Sequence, residues 1–362
     1  MTTDYKVRVY DRTGTLKYEP DNWRRFSFTR TVNAAGALAI AFPTSAPLVD
    51  AVALDWRFEV WRRDVGNGLA WRCEFEGLVR DVERYADDRG ERETSIICPG
   101  VLSLLGRRIV AYKAGTANRS TFSAQKAETI AKSLVRRNAT SNGTTGDGRM
   151  RDVDETRISV AADAATGATL DYNCAWQNLL SALQEVAQLG GGDYDLVRTG
   201  AAAWEFRWYN GQRGTDRSAT VRFGLDYGNV TLPRVTWGTL TEATVAIVGG
   251  QGEAAARSVV VRNGANYLAT YHGVETFVEA MQYSTTGGLN TAGDAALYAA
   301  QARRETSFEV VQTPASFYGV HYDFGDLVTV IIEGYTAVKQ VASASITVDE
   351  YGERLTIGTV DK

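Results

Sequence analysis

The chain has 362 residues, with 39 Lys plus Arg against 43 Asp plus Glu and a formal net charge of −4. Its apolar and charged fractions, 44% and 23%, are those of an ordinary soluble globular protein, and the acidic balance argues against a dedicated DNA binder. No apolar run approaches the roughly 20 residues of a membrane span, so no stable membrane insertion is expected.

Proline is scarce and glycine abundant (6 against 35), beside 17 Tyr and 8 Trp, a balance typical of strand-rich folds with tight turns. The start, MTTDYKVRVYDRTG, lacks the apolar core of a secretion signal. Cys73, Cys98 and Cys174 are widely spaced with no metal-ligand pattern, so they read as free thiols kept reduced in a cytosol.

In chain order, Lys6 to Tyr10 alternates as a strand, Arg12-Thr13-Gly14 turns, and Phe26 to Arg30 alternates again. Leu38 to Phe42 follows the Asn33–Gly36 turn, and Arg57 to Arg62 (RFEVWR) alternates strictly. Gly66-Asn67-Gly68 leads into Trp71–Phe75, which runs on to Glu83, and Asp87 to Gly90 turns the chain into Glu93–Cys98. This is a meander of short strands, as in a small barrel or sandwich.

The period then changes. Ala127, Ile130, Ala131, Leu134 and Val135 recur at helical spacing, with Arg136 and Arg137 at the favourable C-terminal end of the dipole. A second helix carries Trp176, Leu179, Leu180, Leu183 and Val186 and stops at Gly190-Gly-Gly. A hairpin of Tyr194–Val197 and Trp204–Tyr209 closes this α+β block. Strands resume at Thr220–Phe223, Val235–Trp237, Ala243–Val248 and Ser258–Arg262. Thr291 to Arg304 reads as a helix, with Thr291 and Asp294 at capping-box spacing. Last comes a meander from Tyr318 to Val360, opening on Gly325-Asp326 and turning tightly at Glu333-Gly334.

The expected fold is therefore β-rich and multidomain (α+β), with two similar barrel-like β domains and inserted α+β and helical segments. The expected division is a first β domain over 1–112, an α+β domain over 113–212, a second β domain built from 213–262 with 306–362, and a helix-containing insertion over 263–305. In it, the terminal meander shares a core with the 220–262 strands.

Catalytic patterns are missing. His321 sits at a turn with no nucleophile or carboxylate motif around it, and no GxSxG, HExxH, Walker A or CxxC occurs. Val245 to Gly252 resembles a strand running into a dinucleotide-binding turn. Only Glu253 to Arg257 separate those glycines from Ser258-Val-Val-Val, too few for a crossover helix, so a hairpin is expected. Asp81 and Glu83 are the type of acidic pair that a glycosidase would need, but alternating acids on a strand are usually its solvated face. No enzyme, cofactor or metal is expected. Sugar stacking on Trp56, Trp61, Trp71, Trp204, Trp208 and Tyr209 is the competing binding-module reading.

The two meanders echo each other. Arg57–Arg62 matches Asp326–Ile331, Cys73–Glu83 matches Lys339–Val348, and Gly90-Glu91-Arg92 before Thr94-Ser95-Ile96 matches Gly352-Glu353-Arg354 before Leu355-Thr356-Ile357. Three chains, each with two such modules, would place six near-equivalent units in a ring.

Order and motifs together resemble the baseplate-hub and tail-tip proteins of siphophages, related to the N-terminal part of tail-associated lysins and to contractile-tail hubs. The residues that carry the resemblance are Phe26-Ser-Phe-Thr-Arg with Gly36 and Phe42-Pro43, Glu76-Gly77-Leu-Val, Leu104-Leu-Gly-Arg-Arg-Ile109, Gly214-Thr-Asp-Arg217 with Val221-Arg-Phe223, Gly228-Asn229-Val230, Gly249-Gly-Gln-Gly252, Arg303-Arg-Glu305 and Tyr322-Asp-Phe-Gly-Asp-Leu-Val328. The resemblance implies a homotrimeric, pseudo-sixfold ring in the virion tail tip, made in the host cytoplasm. Its implied partners are distal-tail or tail-tube proteins, the tape-measure protein and tail-fibre or spike proteins, with DNA only in transit. With the sequence ending at Lys362, no lytic domain is expected. Asp87, Asp88 and Glu91 in the first meander turn, and Asp349, Glu350 and Glu353 in the second, are the candidate ring or lumen contacts.

Overall fold

The computed structural model describes residues 3–86, 90–111, 120–143, 157–264 and 273–361. The first third folds as β1 (Asp4–Tyr10), β2 (Leu16–Tyr18), β3 (Arg25–Thr31), β4 (Ala34–Pro43), a short helix α1 (Pro47–Ala51), β5 (Arg57–Asp64), β6 (Leu69–Leu78), β7 (Asp81–Ala86), β8 (Arg92–Pro99) and helix α2 (Ser103–Gly106). The middle block follows as β9 (Ser120–Lys126), α3 (Ala127–Ala139), β10 (Ile158–Val160), β11 (Thr169–Cys174), α4 (Leu179–Gly190), β12 (Gly192–Gly200) and β13 (Ala203–Asn210). The last part holds β14 (Arg222–Gly224), β15 (Val230–Gly238), β16 (Val245–Gly249), β17 (Val259–Asn263), β18 (Glu275–Glu279), α5 (Thr286–Ala299), β19 (Arg303–Val310), β20 (Leu327–Ile332), β21 (Tyr335–Asp349) and β22 (Gly352–Val360).

The β-rich α+β class is as expected, but among the described residues no sheet closes on itself as a barrel. Strands from both ends of the sequence share one large sheet in the order β15-β19-β22-β21-β3-β4-β8-β7, with β20 and β14 attached beside β21. The junction is an antiparallel ladder between β3 and β21 in which Phe28 faces Ile346 and Phe26 faces Val348. Among the described residues β3 pairs with β4 of its own meander on one side and with β21 of the other meander on the other, so the two meanders continue one sheet and neither closes into a barrel. A second sheet, β2-β1-β5-β6, packs against it. One apolar core joins Val7, Phe28, Ile40, Phe58 and Ile96 with Phe223, Phe308, Val330, Ile346 and Ile357.

Two smaller cores lie outside it. The middle block buries Ile130, Leu134, Leu183, Val186, Tyr194 and Phe206 together. The third joins Ala246 and Val248 to Tyr283, Leu289 and Leu297, because α5 covers the sheet β17-β16-β18. The strands near 245–263 thus sit under α5 and not with the terminal meander, whereas β14 and β15 do join the large sheet. Their alternation is the same in either place, so only the covering helix decides between them.

Local signals explain most boundaries. Asn178 accepts hydrogen bonds from the backbone N–H of Leu180 and Ser181, and Gly191 at φ 67° ends α4 in the left-handed conformation. Trp176 lies outside that helix and is exposed. Glu333 and Gly334 both have positive φ, 50° and 72°, the geometry of a two-residue hairpin turn. The expected cap of α5 is displaced. Thr285 is the N-cap and accepts from the Gly288 N–H, while Thr291 donates to the Gly287 carbonyl and Asp294 binds Arg262. The glycines admit an earlier start, since a side chain at Gly288 would meet the Tyr283 ring. The Gly249-Gly250 turn leads through a short 3₁₀ turn into antiparallel β17, the expected hairpin.

Glu128 in the first turn of α3 fastens the loop before β11. It accepts from the Thr166 N–H and hydroxyl at 2.9 and 2.7 Å, from the Ala164 N–H at 3.2 Å, and from the Lys132 ammonium. Burial works against its charge, yet the bonds from Lys132 and Thr166 win and hold its pKa at about 2, below the usual 4.5. Between those values the unfolded chain binds the extra proton, so this contribution of roughly 3 kcal/mol is present above about pH 4.5 and is lost as pH falls toward 2. Glu128→Gln is expected to destabilise by about that amount at pH 6 and by much less near pH 2.5. Urea unfolding of both proteins across the range checks it, and a pH-independent difference would exclude the mechanism.

Candidate functional site

The β5 strand explains why its charges are internal. Arg57, Glu59, Arg62 and Asp64 are all buried: the second meander meets Arg62 through Tyr318 and Glu353, and the middle block meets Arg57 and Glu59 through Ala201 and Arg198. Buried charges need partners, and these lie at the joins between units.

At the join of the two meanders, the wholly buried Arg62 donates from Nε and Nη2 to Glu353, both at 2.9 Å, and from Nη1 to the Tyr318 carbonyl at 3.0 Å. Tyr5 donates its hydroxyl to the same carboxylate, and Gln312 donates its amide. Burial, with the Glu353 charge beside it, pushes the Tyr5 phenol well above its ordinary range. Nearby, Arg72 bridges Glu74 and Asp323 with four hydrogen bonds of 2.7 to 2.9 Å. Burial opposes the Asp323 charge, but Arg72 and Arg30 keep its pKa low. These bidentate clamps connect residues more than 250 positions apart in sequence.

At the join to the middle block, Arg198 reaches Glu59, and Trp204 donates its indole N–H to Glu76 at 2.8 Å. Burial raises the Glu76 pKa. Asn33, at the β3–β4 turn with φ 59°, accepts from the Tyr194 N–H and donates to Asp193. Asp193 also accepts from Gln340 of β21 at 2.7 Å. The middle block is therefore anchored to both meanders.

A cavity of about 390 Å³ lies in this join, lined by Arg30, Cys73, Glu74, Glu76, Arg198 and Arg213 among others. Its charges are already matched: Arg30 with Glu74 at 3.7 Å, Arg198 with Glu76 at 3.6 Å, and Arg213 with Asp195 at 2.8 Å. That arrangement fastens units together, and the Cys73 thiol in its wall donates to the Phe75 carbonyl at 3.4 Å. Among the described residues no group of His, Cys, Asp and Glu has the geometry of a metal site. His321 accepts the Phe317 N–H at 3.0 Å as a turn residue, and His272 lies outside the described residues. Asp81 and Glu83 stand on the exposed strand β7. Cys98 and Cys174 are buried free thiols, the latter pushed up to about 12 by burial.

The acidic turn residues have different fates. Asp87 and Asp88 lie outside the described residues. Glu91 is exposed and meets Arg24. Asp349 accepts from Arg354 and from the Tyr351 N–H, and Glu350 is exposed at the hairpin tip. Glu353 is committed to the internal clamp with Arg62. Of the aromatics proposed for sugar stacking, Trp204 and Trp208 are buried in the middle core, while Trp61 and Trp71 lie beneath Arg8 and beneath Lys6 and Arg63. In RFEVWR, Arg57 and Glu59 alternate but Arg62 falls out of phase with them, so the buried Arg62–Glu353 pair has no signal in the sequence.

Strand for strand, the two meanders correspond. In the first, β3-β4-β8-β7 runs through the large sheet and β6-β5-β1 through the smaller; in the second, β15-β19-β22-β21 is followed by β20-β14. The long β21 pairs with β20 in its first half and with β22 in its second. In the first meander β6 and β7 divide those duties, pairing with β5 and β8. The outermost strands differ, since β1 is antiparallel to β5 and β14 is parallel to β20.

A family model described as Siphovirus ReqiPepy6 Gp37-like protein matches residues 6–359. No curated protein matches the chain. The fold is shared with the 43 kDa tail protein of prophage MuSo2 from Shewanella oneidensis, at 15% identity, 98% coverage of both chains and a TM-score of 0.58. It is shared too with a tail protein from Neisseria meningitidis MC58, at 14% identity, 99% and 97% coverage and a TM-score of 0.60. The prophage tail protein gp18 of Listeria monocytogenes EGD-e is similar at 11% identity, 98% and 94% coverage and a TM-score of 0.53.

Proposed function

We propose, from the premise that this chain belongs to the siphovirus ReqiPepy6 Gp37-like family, that it is the structural hub of a phage tail tip. At the coarser level it is a phage tail or baseplate protein of siphovirus type. In the finer reading three copies form a ring of six β modules. That ring joins the sixfold tail tube or distal-tail ring to a threefold tip and surrounds the channel through which the tape-measure protein and DNA leave. The strand-for-strand equivalence of the two meanders carries this reading, because duplicated modules let a threefold assembly present a sixfold face. The matched internal charges support a framework without catalysis. Tail-fibre or spike proteins are the partners on the distal side, and the exposed Glu91 and Glu350 are the acidic turn residues best placed to meet the lumen or a neighbour. Cryogenic imaging of tail tips, with the mass of the isolated assembly, is expected to show three copies around a central channel. One copy per tip, or a ring without a channel, overturns the reading.

A further inference from the structure

Another cavity, of about 170 Å³, lies where the first meander meets the middle block. Guanidinium groups reach its lining from separate parts of the fold: Arg12 in the β1–β2 turn, Arg57 on β5, Arg107 and Arg108 just after α2, and Arg157 just before β10. Only Asp11 and Asp55 share the lining as acids, and both are committed. Asp11 accepts from the Thr13 N–H and hydroxyl at 2.9 and 2.6 Å and from the Thr15 N–H at 3.0 Å, and it meets Lys17 at 3.1 Å. Asp55 meets Arg107 at 2.8 Å and Arg80, from outside the lining, at 3.4 Å. Five arginines against two aspartates leave an excess of three positive charges (5 − 2), and Glu59, which pairs with Arg57 at 3.2 Å, reduces it to two. The whole chain, by contrast, is net acidic.

Arg57 is the buried member of the set. It is 3% exposed, and its Nη1 donates to the Ala201 carbonyl. Its Nε is buried with no hydrogen-bond partner, an oxygen of Glu76 lying 3.8 Å away, beyond hydrogen-bond reach. A buried donor left in this way calls for a water or an ion beside it. The turn that carries Arg12 is seated directly on the β12–β13 turn: Gly14 has φ 85°, and a Cβ there would lie 2.4 Å from the Ala201 carbonyl oxygen.

We propose that this cavity binds a small multivalent oxyanion of the phosphate class, which ties the first meander to the middle block. Guanidinium forks match the oxygens of such an anion two at a time, and a cleft lined by one sign of charge concentrates counter-ions of the other. At roughly 30 Å³ of liquid volume per water, the space suits one phosphate or diphosphate with a few waters. Arg157 leads into β10 of the middle block while Arg12 and Arg57 belong to the first meander, so one anion would bridge both units. The site lies within one copy and does not depend on the ring.

The test is calorimetric titration of the full chain with inorganic phosphate and with diphosphate, in chloride buffers of matched ionic strength so that general screening cancels. Saturable binding of one anion per chain is expected. Arg12→Gln with Arg107→Gln is expected to bind at least tenfold more weakly, the usual loss when charged hydrogen bonds are removed. Arg12→Gln alone, at an exposed turn, is expected to weaken binding in the same direction, and Arg84→Gln, outside the cavity, is expected to leave it unchanged. Hydrogen exchange reads the bridging: amides of 158–160 are expected to slow at least threefold with phosphate in the parent chain and not in the double variant. Heats no greater than those of chloride, or equal binding by parent and double variant, overturn the site. Binding that leaves the 158–160 amides unprotected overturns the bridge.

Discussion

Arg62→Met is expected to destabilise the folded chain by about 3–5 kcal/mol, the usual cost of leaving a buried charge without its partner. The substitution removes both hydrogen bonds to Glu353 and the bond to the Tyr318 carbonyl while keeping most of the side-chain volume. Glu353 then holds its charge with only Tyr5 and Gln312 as donors. Urea unfolding measures the loss, and a change under about 1 kcal/mol would refute the clamp. Arg84→Met is the control, since Arg84 and Asp50 form an exposed pair worth roughly 0–1 kcal/mol. Adding Glu353→Leu to Arg62→Met is expected to recover part of the stability, because an apolar pair leaves no buried charge behind.

The second large effect is expected from Phe28→Ala. Phe28 is 1% exposed, its ring centroid lies 5.6 Å from that of Phe75, and it faces Ile346 across the junction of the two meanders. Removing a buried aromatic side chain typically costs about 3–5 kcal/mol. The location of the loss is the more telling readout. Because the meanders share one core, amides of β8 and β22 are expected to lose protection together in native-state hydrogen exchange. Loss confined to β8 would show that the meanders unfold independently.

Much of the fold was legible because the signals were local. Glu333-Gly334 specifies a hairpin, Gly191 ends a helix, and Glu253–Arg257 is too short to be anything but a turn between antiparallel strands. What sequence could not show was long-range. RFEVWR alternates charged and apolar residues from Arg57 to Val60, which reads as a strand with one wet face; Glu59 and Arg62 are nevertheless buried, because Arg198 and Glu353 arrive from distant segments. The pattern in Ala243–Val248 was equally compatible with the large sheet, and only the packing of α5 places it elsewhere. The echo of the meanders was visible through Gly-Glu-Arg, but the two glutamates have diverged: Glu91 meets Arg24 near solvent, whereas Glu353 is locked beside Arg62.

The β3–β21 ladder also sets a timetable. Ser27 and Thr347 face each other across about 320 residues of sequence. At a synthesis rate of roughly 5–20 residues per second, β3 emerges some 15–60 s before its partner exists. During that interval the nascent first module exposes Phe26 and Phe28 along an open strand, and contacts of such high sequence separation form slowly even once the chain is complete. A neighbouring chain on the same message can present its own finished β21 in the same register, giving an exchanged assembly with identical ladders. The edge that unites the finished molecule is the one left open longest while it is being made.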